Sequence, residues 1–211
     1  MRLNNAIFDH ETRGWVDLIT PRIPKPKLTS NLDAKWLVIG AGFTGLSCAR
    51  RLAELNPQEK VVIVDAREIG QNASGRNSGY AVVHSHFSGP FKESQLSQYE
   101  RVDRINQAGL NSLRSLIANN NIDCDFKESG IYHTAADNNS SKEYDHFIDY
   151  LEKREISHTP LSQDQLQEHL GTKWYPKGVK VENGALVQPA KLVFSLADNL
   201  PKNVMLYENT P

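Results

Sequence analysis

The chain has 211 residues, 39% hydrophobic and 23% charged, a composition that suits a soluble globular protein burying roughly 70% of its unfolded surface in one or two domains. A formal net charge of -1 excludes the basic footprint expected of a partner for nucleic acid or an anionic membrane. Cys48 and Cys124 are the only cysteines, which excludes a disulfide framework or a cysteine-built metal cluster and points to a reducing, cytoplasmic setting.

At the N-terminus, Arg2, Asp9, Glu11, Arg13 and Asp17 interrupt any apolar run, so no signal-peptide core is present. No stretch approaches the ~20 apolar residues needed to span a bilayer. Residues 21–30, PRIPKPKLTS, are basic and spaced by proline, as expected of an extended arm. Residues 1–33 are therefore expected to form a peripheral arm lying on the first domain.

Trp36 to Ile39 is a short continuous apolar run, the pattern of a buried parallel strand. It leads into GAGFTG, residues 40–45. Gly40 permits a sharp turn, Gly42 lets backbone approach a phosphate, and Gly45 allows a helix to lie close to a sheet. Leu46, Ala49, Leu52, Ala53 and Leu55 give the following helix an apolar stripe, with Arg50, Arg51 and Glu54 on the water side. Asn56-Pro57 ends it. Val61 to Val64 reads as a second buried strand, with Asp65 at its carboxyl end.

Asp65 lies twenty residues beyond Gly45, the separation at which an acid meets the hydroxyl pair of a ribose. A carboxylate there would repel a 2′-phosphate, which disfavours NADP. The glycine turn leaves NAD and FAD open. Residues 70–80, GQNASGRNSGY, add a small-residue loop in which Ser74, Gly75, Asn77 and Ser78 can offer donors and Arg76 a fixed charge. Such a loop suits an elongated ligand; a flexible surface turn is the competing reading.

Beyond the loop, Leu96, Tyr99, Val102, Leu110, Leu113, Leu116 and Ile117 share a helical face between Ser94 and Asn120, where an asparagine run stops the helix. Residues 122–136 alternate as one or two strands with a turn near Ser129-Gly130. Ser141 to Glu155 reads as a charged amphipathic helix. Ser162 to Leu170 reads as another, opened by the capping-box spacing Ser162-x-x-Gln165. Residues 174–188 suggest strands around an Asn183-Gly184 turn. Pro189 starts a helix running to Leu200, and Val204 to Tyr207 is a last short strand.

His84 and His86 sit on one side of an extended segment, yet no carboxylate or cysteine lies at a ligand spacing, so no metal is expected. His133 reads as a strand residue and Cys48 as a small packing group. No residue is nominated as catalytic.

Taken together, VIGAGFTGLSCARRLAE, VVIVDAREIGQNASGRNSG and GALVQPAKLVFSLADNLP resemble the FAD-dependent amine and D-amino-acid oxidase superfamily. The likeness is closest to the branch containing γ-glutamylputrescine oxidoreductase and spans roughly residues 34–211. It implies an α/β fold: a Rossmann-like FAD-binding domain with part of an α+β substrate domain. By that likeness residues 34–121 are the first part of the FAD-binding domain, 122–184 a partial substrate domain, and 185–211 a return to the FAD-binding domain.

The resemblance further implies that Gly40, Ala41, Gly42, Phe43, Thr44 and Gly45 wrap the FAD pyrophosphate. Asp65 would hold the adenosine ribose, with Ala66 and Arg67 beside it, and Ser74, Gly75, Arg76, Asn77 and Ser78 would run toward the flavin. Ser78 stands where many relatives have glycine. The implied reaction is dehydrogenation of a C–N bond in an amine or amino-acid substrate by hydride transfer to flavin, followed by imine hydrolysis. Alternatives are a noncatalytic FAD-binding fragment and an NAD-linked dehydrogenase half. Family members continue for about as much chain again, so residues 1–211 are expected to be an N-terminal piece.

Overall fold

The computed structural model describes residues 14–84 and 89–211. They form two compact units. The first draws on the described part of Met1–Gly79 with Ile122–Asp125 and Gln188–Pro211; the second comprises Tyr80–Asn121 and Phe126–Val187, as far as described.

In the first unit, β1 (Trp36–Ile39), β2 (Val61–Val64) and β8 (Val204–Tyr207) form a parallel sheet in the order β1-β2-β8. Trp36 pairs with Val61, which in turn pairs with Val204. The helix α2 (Phe43–Leu55) connects β1 to β2 and buries Leu46, Ala49 and Ala53. A second helix, α6 (Pro189–Asp198), starts on its proline and buries seven of its residues, from Pro189 to Ala197. A short helix, α1 (Gly14–Asp17), precedes an arm with no regular element through Lys35.

Three sequence expectations need correction in this unit. β1 is not buried on both faces: Leu37 is 60% and Ile39 81% exposed. Strand side chains alternate between faces, and among the described residues nothing covers the face that those two share. Arg50 is not simply a water-facing residue, because its guanidinium donates to the Asn199 carbonyl at the C-cap of α6. Cys48 is exposed rather than packed. It neighbours Ala49 in sequence, about 100° away around the helix, and Ala49 is the residue that meets the sheet.

The second unit contains a two-stranded antiparallel ribbon of β3 (Tyr80–Val82) with β7 (Gly184–Leu186). A three-stranded antiparallel sheet is ordered β4 (Ile131–Ala135), β6 (Lys177–Val181), β5 (His158–Ser162). Its helices are α3 (Leu96–Asn120), α4 (Asn138–Lys153) and α5 (Gln163–Leu170). Phe147, Tyr150 and Leu151 of α4 pack with Val179 and Val181 of β6.

The helix starts follow side-chain chemistry. Ser162 and Gln165 make the expected reciprocal cap. A second capping box, Asp137 with Ser140, starts α4 at Asn138, three residues earlier than its apolar pattern indicates. Asn121 ends α3 in the left-handed conformation, at φ 52.

The strands around Asn183-Gly184 exist, but they do not pair with each other: β6 lies between β4 and β5, whereas β7 joins β3. A Cβ on Gly184 would stand 2.6 Å from Ile131 Cγ1, so close packing rather than a hairpin turn explains this glycine. β5 escapes sequence reading because Pro160 lies within it. An edge strand tolerates proline, since one edge needs no ladder donor. On α3, Leu96 is 39% exposed while Asp103 is buried.

Candidate dinucleotide site

The site is assembled entirely within the first unit, at the carboxyl ends of β1 and β2. Gly40 leaves β1 with φ 97 and donates its N–H to Val64 O at 2.8 Å. This ties the turn to the last residue of β2. Only a residue without Cβ takes that conformation at little cost. Gly42 is the N-cap of α2 and brings no side-chain cap, so the helix mouth is left to other acceptors.

Two acceptors are in place. Asp65 Oδ2 receives the Ala41 N–H at 2.7 Å, and its Oδ1 receives the Arg67 N–H at 2.9 Å. Ser74 Oγ receives the Phe43 N–H at 3.0 Å. A carboxylate has about four lone-pair sites, so Asp65 is oriented by the backbone and retains acceptor capacity. A Cβ at Gly42 would come within 2.8 Å of Ser74 Oγ, and one at Gly45 within 1.8 Å of Gly40 O. Glycine at these positions therefore keeps the turn, the helix and the Ser74 loop in close approach.

A cavity of about 190 Å³ is bounded by Gly40, Ala41, Gly42, Asp65 and Ser74. Its remaining wall is the connection after β2: Glu68, Ile69, Gly70, Asn72 and Ala73. Gly70 has φ 84. Gly70, Asn72 and Ala73 belong to the small-residue loop singled out in the sequence, whereas Glu68 and Ile69 were not anticipated. A lone glycine just after the acid-bearing strand was the available signal.

Other nominated residues stand apart from the cavity lining. Thr44 and Ala66 are exposed, and Arg67 donates to Asn72 Oδ1 at 3.3 Å. Residues 73–75 form a single 3-10 turn in which Gly75 is buried. A Cβ there would lie 2.1 Å from Gly70 O, so Gly75 closes the loop back on Gly70. Asn77 also closes the loop: its Nδ2 donates to the carbonyls of Ala73 and Ser74, and its Oδ1 accepts the Gly79 N–H. Arg76 and Ser78 are exposed.

In the second unit, His84 Nδ1 lies 3.1 Å from Asp103 Oδ2, while His86 falls outside the described residues. The same Asp103 oxygen accepts from Tyr150 at 3.3 Å and lies 3.1 Å from Arg154 Nη2. Burial, reinforced by the Asp103 charge, pushes the Tyr150 hydroxyl up to about 12. This cluster joins α3 to α4. His133 lies against Phe147, with ring centroids 4.5 Å apart and the planes tilted by 47°. Among the described residues, no helix is long and apolar enough to cross a membrane.

A parallel β-α-β unit with a glycine turn facing a strand-end carboxylate defines a dinucleotide-binding α/β protein. More specifically, the chain belongs to the FAD dependent oxidoreductase family (DAO), whose model matches residues 35–211. FAD is accordingly its cofactor. The chain is 26% identical to the probable oxidoreductase OrdL of Haemophilus influenzae, over 99% of this chain and 49% of that protein. It is 29% identical to the gamma-glutamylputrescine oxidoreductase of Escherichia coli, over 59% of this chain and 29% of that one. Glycine oxidase from Bacillus cereus shares the fold, with a TM-score of 0.67 at 20% identity over 84% of this chain and 46% of that structure. The chain thus spans about half the length of the first relative.

Proposed function

We propose that the chain carries the dinucleotide-binding part of an oxidoreductase that dehydrogenates a C–N bond of an amine or amino acid, the imine then being hydrolysed by water. Bound FAD supplies the two-electron acceptor for the substrate hydride. The chain's own residues bind and orient. The N–H groups at the mouth of α2 would bind a pyrophosphate across Gly42, where no Cβ intervenes. Ser74, whose Oγ accepts the Phe43 N–H at 3.0 Å, would offer its hydroxyl proton to a phosphate oxygen. Asp65, held by Ala41 and Arg67, would take the ribose hydroxyls on its remaining lone pairs.

Magnitudes favour this division of labour. The helix dipole contributes about 0.3–1 kcal/mol per charge, whereas each hydrogen bond to a charged group contributes about 1.5–3 kcal/mol. Backbone donors therefore dominate phosphate binding. The observation carrying the reading is the 2.7 Å bond from Ala41 to Asp65. It sets the acid against the turn, so one ligand can meet both. The Escherichia coli relative, named for γ-glutamylputrescine, supports an amine-type substrate. We assign the first compact unit to the FAD-binding domain and the second, Tyr80–Asn121 with Phe126–Val187, to part of a substrate domain, so residues 80–121 go with the substrate part rather than with the FAD-binding domain expected from the sequence. The two free cysteines suit a cytoplasmic protein.

The test is made on the full-length protein. Purified material is expected to carry FAD, and an anaerobic panel of amines and amino acids should contain a member that bleaches the flavin and yields the corresponding carbonyl product. Absence of flavin with a thermal shift by NAD would point to an NAD-linked dehydrogenase half. Bound flavin that no panel member bleaches would leave FAD binding without amine chemistry.

A further inference from the structure

Glu208, immediately after β8, is fully buried, and no step proposed above uses it. One carboxylate oxygen, Oε1, accepts from Arg22 Nη1 of the N-terminal arm. The other, Oε2, accepts the backbone N–H of Ile69 at 3.3 Å. Ile69 and Glu68 line the 190 Å³ cavity beside Asp65. They also line a second cavity of about 320 Å³ with Val16, Asp17, Ile19, Pro21, Arg22 and Phe194. The wall of the dinucleotide site thus has the arm behind it.

Further contacts bind the arm to the same corner. The Arg22 guanidinium lies 5.4 Å from the centroid of the Phe194 ring. A Cβ on Gly70 would stand 2.7 Å from that ring. Glu208 N–H donates to Pro26 O, and Leu28 N–H donates to Thr210 Oγ1 at 3.0 Å. Thr210 N–H then donates to Asp65 O at 2.8 Å. Arg22 lies outside the family match, which begins at residue 35.

We propose that Glu208 is a positioning residue for the adenosine end of the dinucleotide site, holding the Ile69 backbone, and that Arg22 keeps its carboxylate in place. This rests on the dinucleotide reading of the cavity but not on amine chemistry. A buried carboxylate stripped of its cation either takes up a proton or moves toward water. In both cases the acceptor facing Ile69 weakens or leaves, and the cavity wall loosens.

The test measures ADP affinity calorimetrically on the full chain freed of its bound FAD, well below each variant's unfolding midpoint. Arg22→Met is expected to weaken ADP at least tenfold. R22M/E208Q restores a neutral pair that still presents an oxygen to Ile69 and should bind within threefold of the parent. R22M/E208L is equally neutral but offers no acceptor, and should remain at least tenfold weaker. Neither double variant buries a lone charge, so this pair carries the test even if R22M alone does not fold. Equal ADP affinity in the glutamine and leucine pairs would overturn the proposal, as would a tenfold loss in the glutamine pair. A parent that binds neither ADP nor FAD would defeat the underlying dinucleotide reading instead.

Discussion

Replacing Gly45 by alanine sets two effects of opposite sign against each other. Gly45 lies in the first turn of α2, and on helix propensity alone alanine should stabilise by about 1 kcal/mol. The added Cβ, however, would stand 1.8 Å from Gly40 O and 3.0 Å from Gly40 C. Neither partner is the end of a flexible side chain. Gly40 is held to Val64 O at 2.8 Å, and Leu46 N–H closes the helix onto Gly42 O at 2.9 Å. Relief requires the helix to back away from the strand by roughly 1.5 Å, since a normal C···O contact is about 3.3 Å. Overpacking of this kind costs about 1–3 kcal/mol, occasionally more. With backbone on both sides the upper end applies, for a net loss of about 2 kcal/mol after the propensity gain. For a chain of this size that lowers the unfolding midpoint by roughly 4–8 °C. Thermal unfolding of the flavin-free protein by circular dichroism measures it. A Gly45→Ala variant as stable as the parent, or more so, would refute the close-approach argument.

Gly42→Ala should behave differently, because its clash is with Ser74 Oγ at 2.8 Å while Ser74 Cβ is at 3.8 Å. In a Ser74→Ala background its cost should shrink, a coupling of about 0.5–1 kcal/mol in a double-mutant cycle; strict additivity would contradict it. Asp65→Ala removes the acceptor shared by Ala41 and Arg67. It should weaken FAD by about 1.5–3 kcal/mol, or roughly 10- to 150-fold, read by flavin fluorescence titration. At high pH, the raised Tyr150 value predicts stability that is intact below pH 10 and lost as pH climbs toward about 12. The unfolded chain gives up that proton first, so the folded state binds more protons across this window. Tyr150→Phe should flatten that part of the stability curve. Ser162→Ala removes the cap of α5 and should cost about 1 kcal/mol.

Much of the fold was legible along the chain. The strand, glycine turn, helix, strand and acid from Trp36 to Asp65 appear where periodicity and spacing put them, because each is decided by neighbours within a few turns. The Ser162 cap and the proline start of α6 are local in the same sense. Partners were not legible. The sequence motif could not tell that Leu37 and Ile39 share an uncovered face, or that β6 and β7 join different sheets.

The amino-acid order alone determined a strand, a glycine turn at Gly40, Gly42 and Gly45, a helix, and an acid at the end of the next strand. Tertiary structure decided how that turn is walled. Ile69 and Gly70 enter the cavity because β2 ends beside β8, bringing Glu208 beneath them and Arg22 behind them. Arg22 and Glu208 are 186 positions apart. No local propensity encodes a contact at that separation; it exists only once the parallel sheet has closed and a buried carboxylate must find its cation.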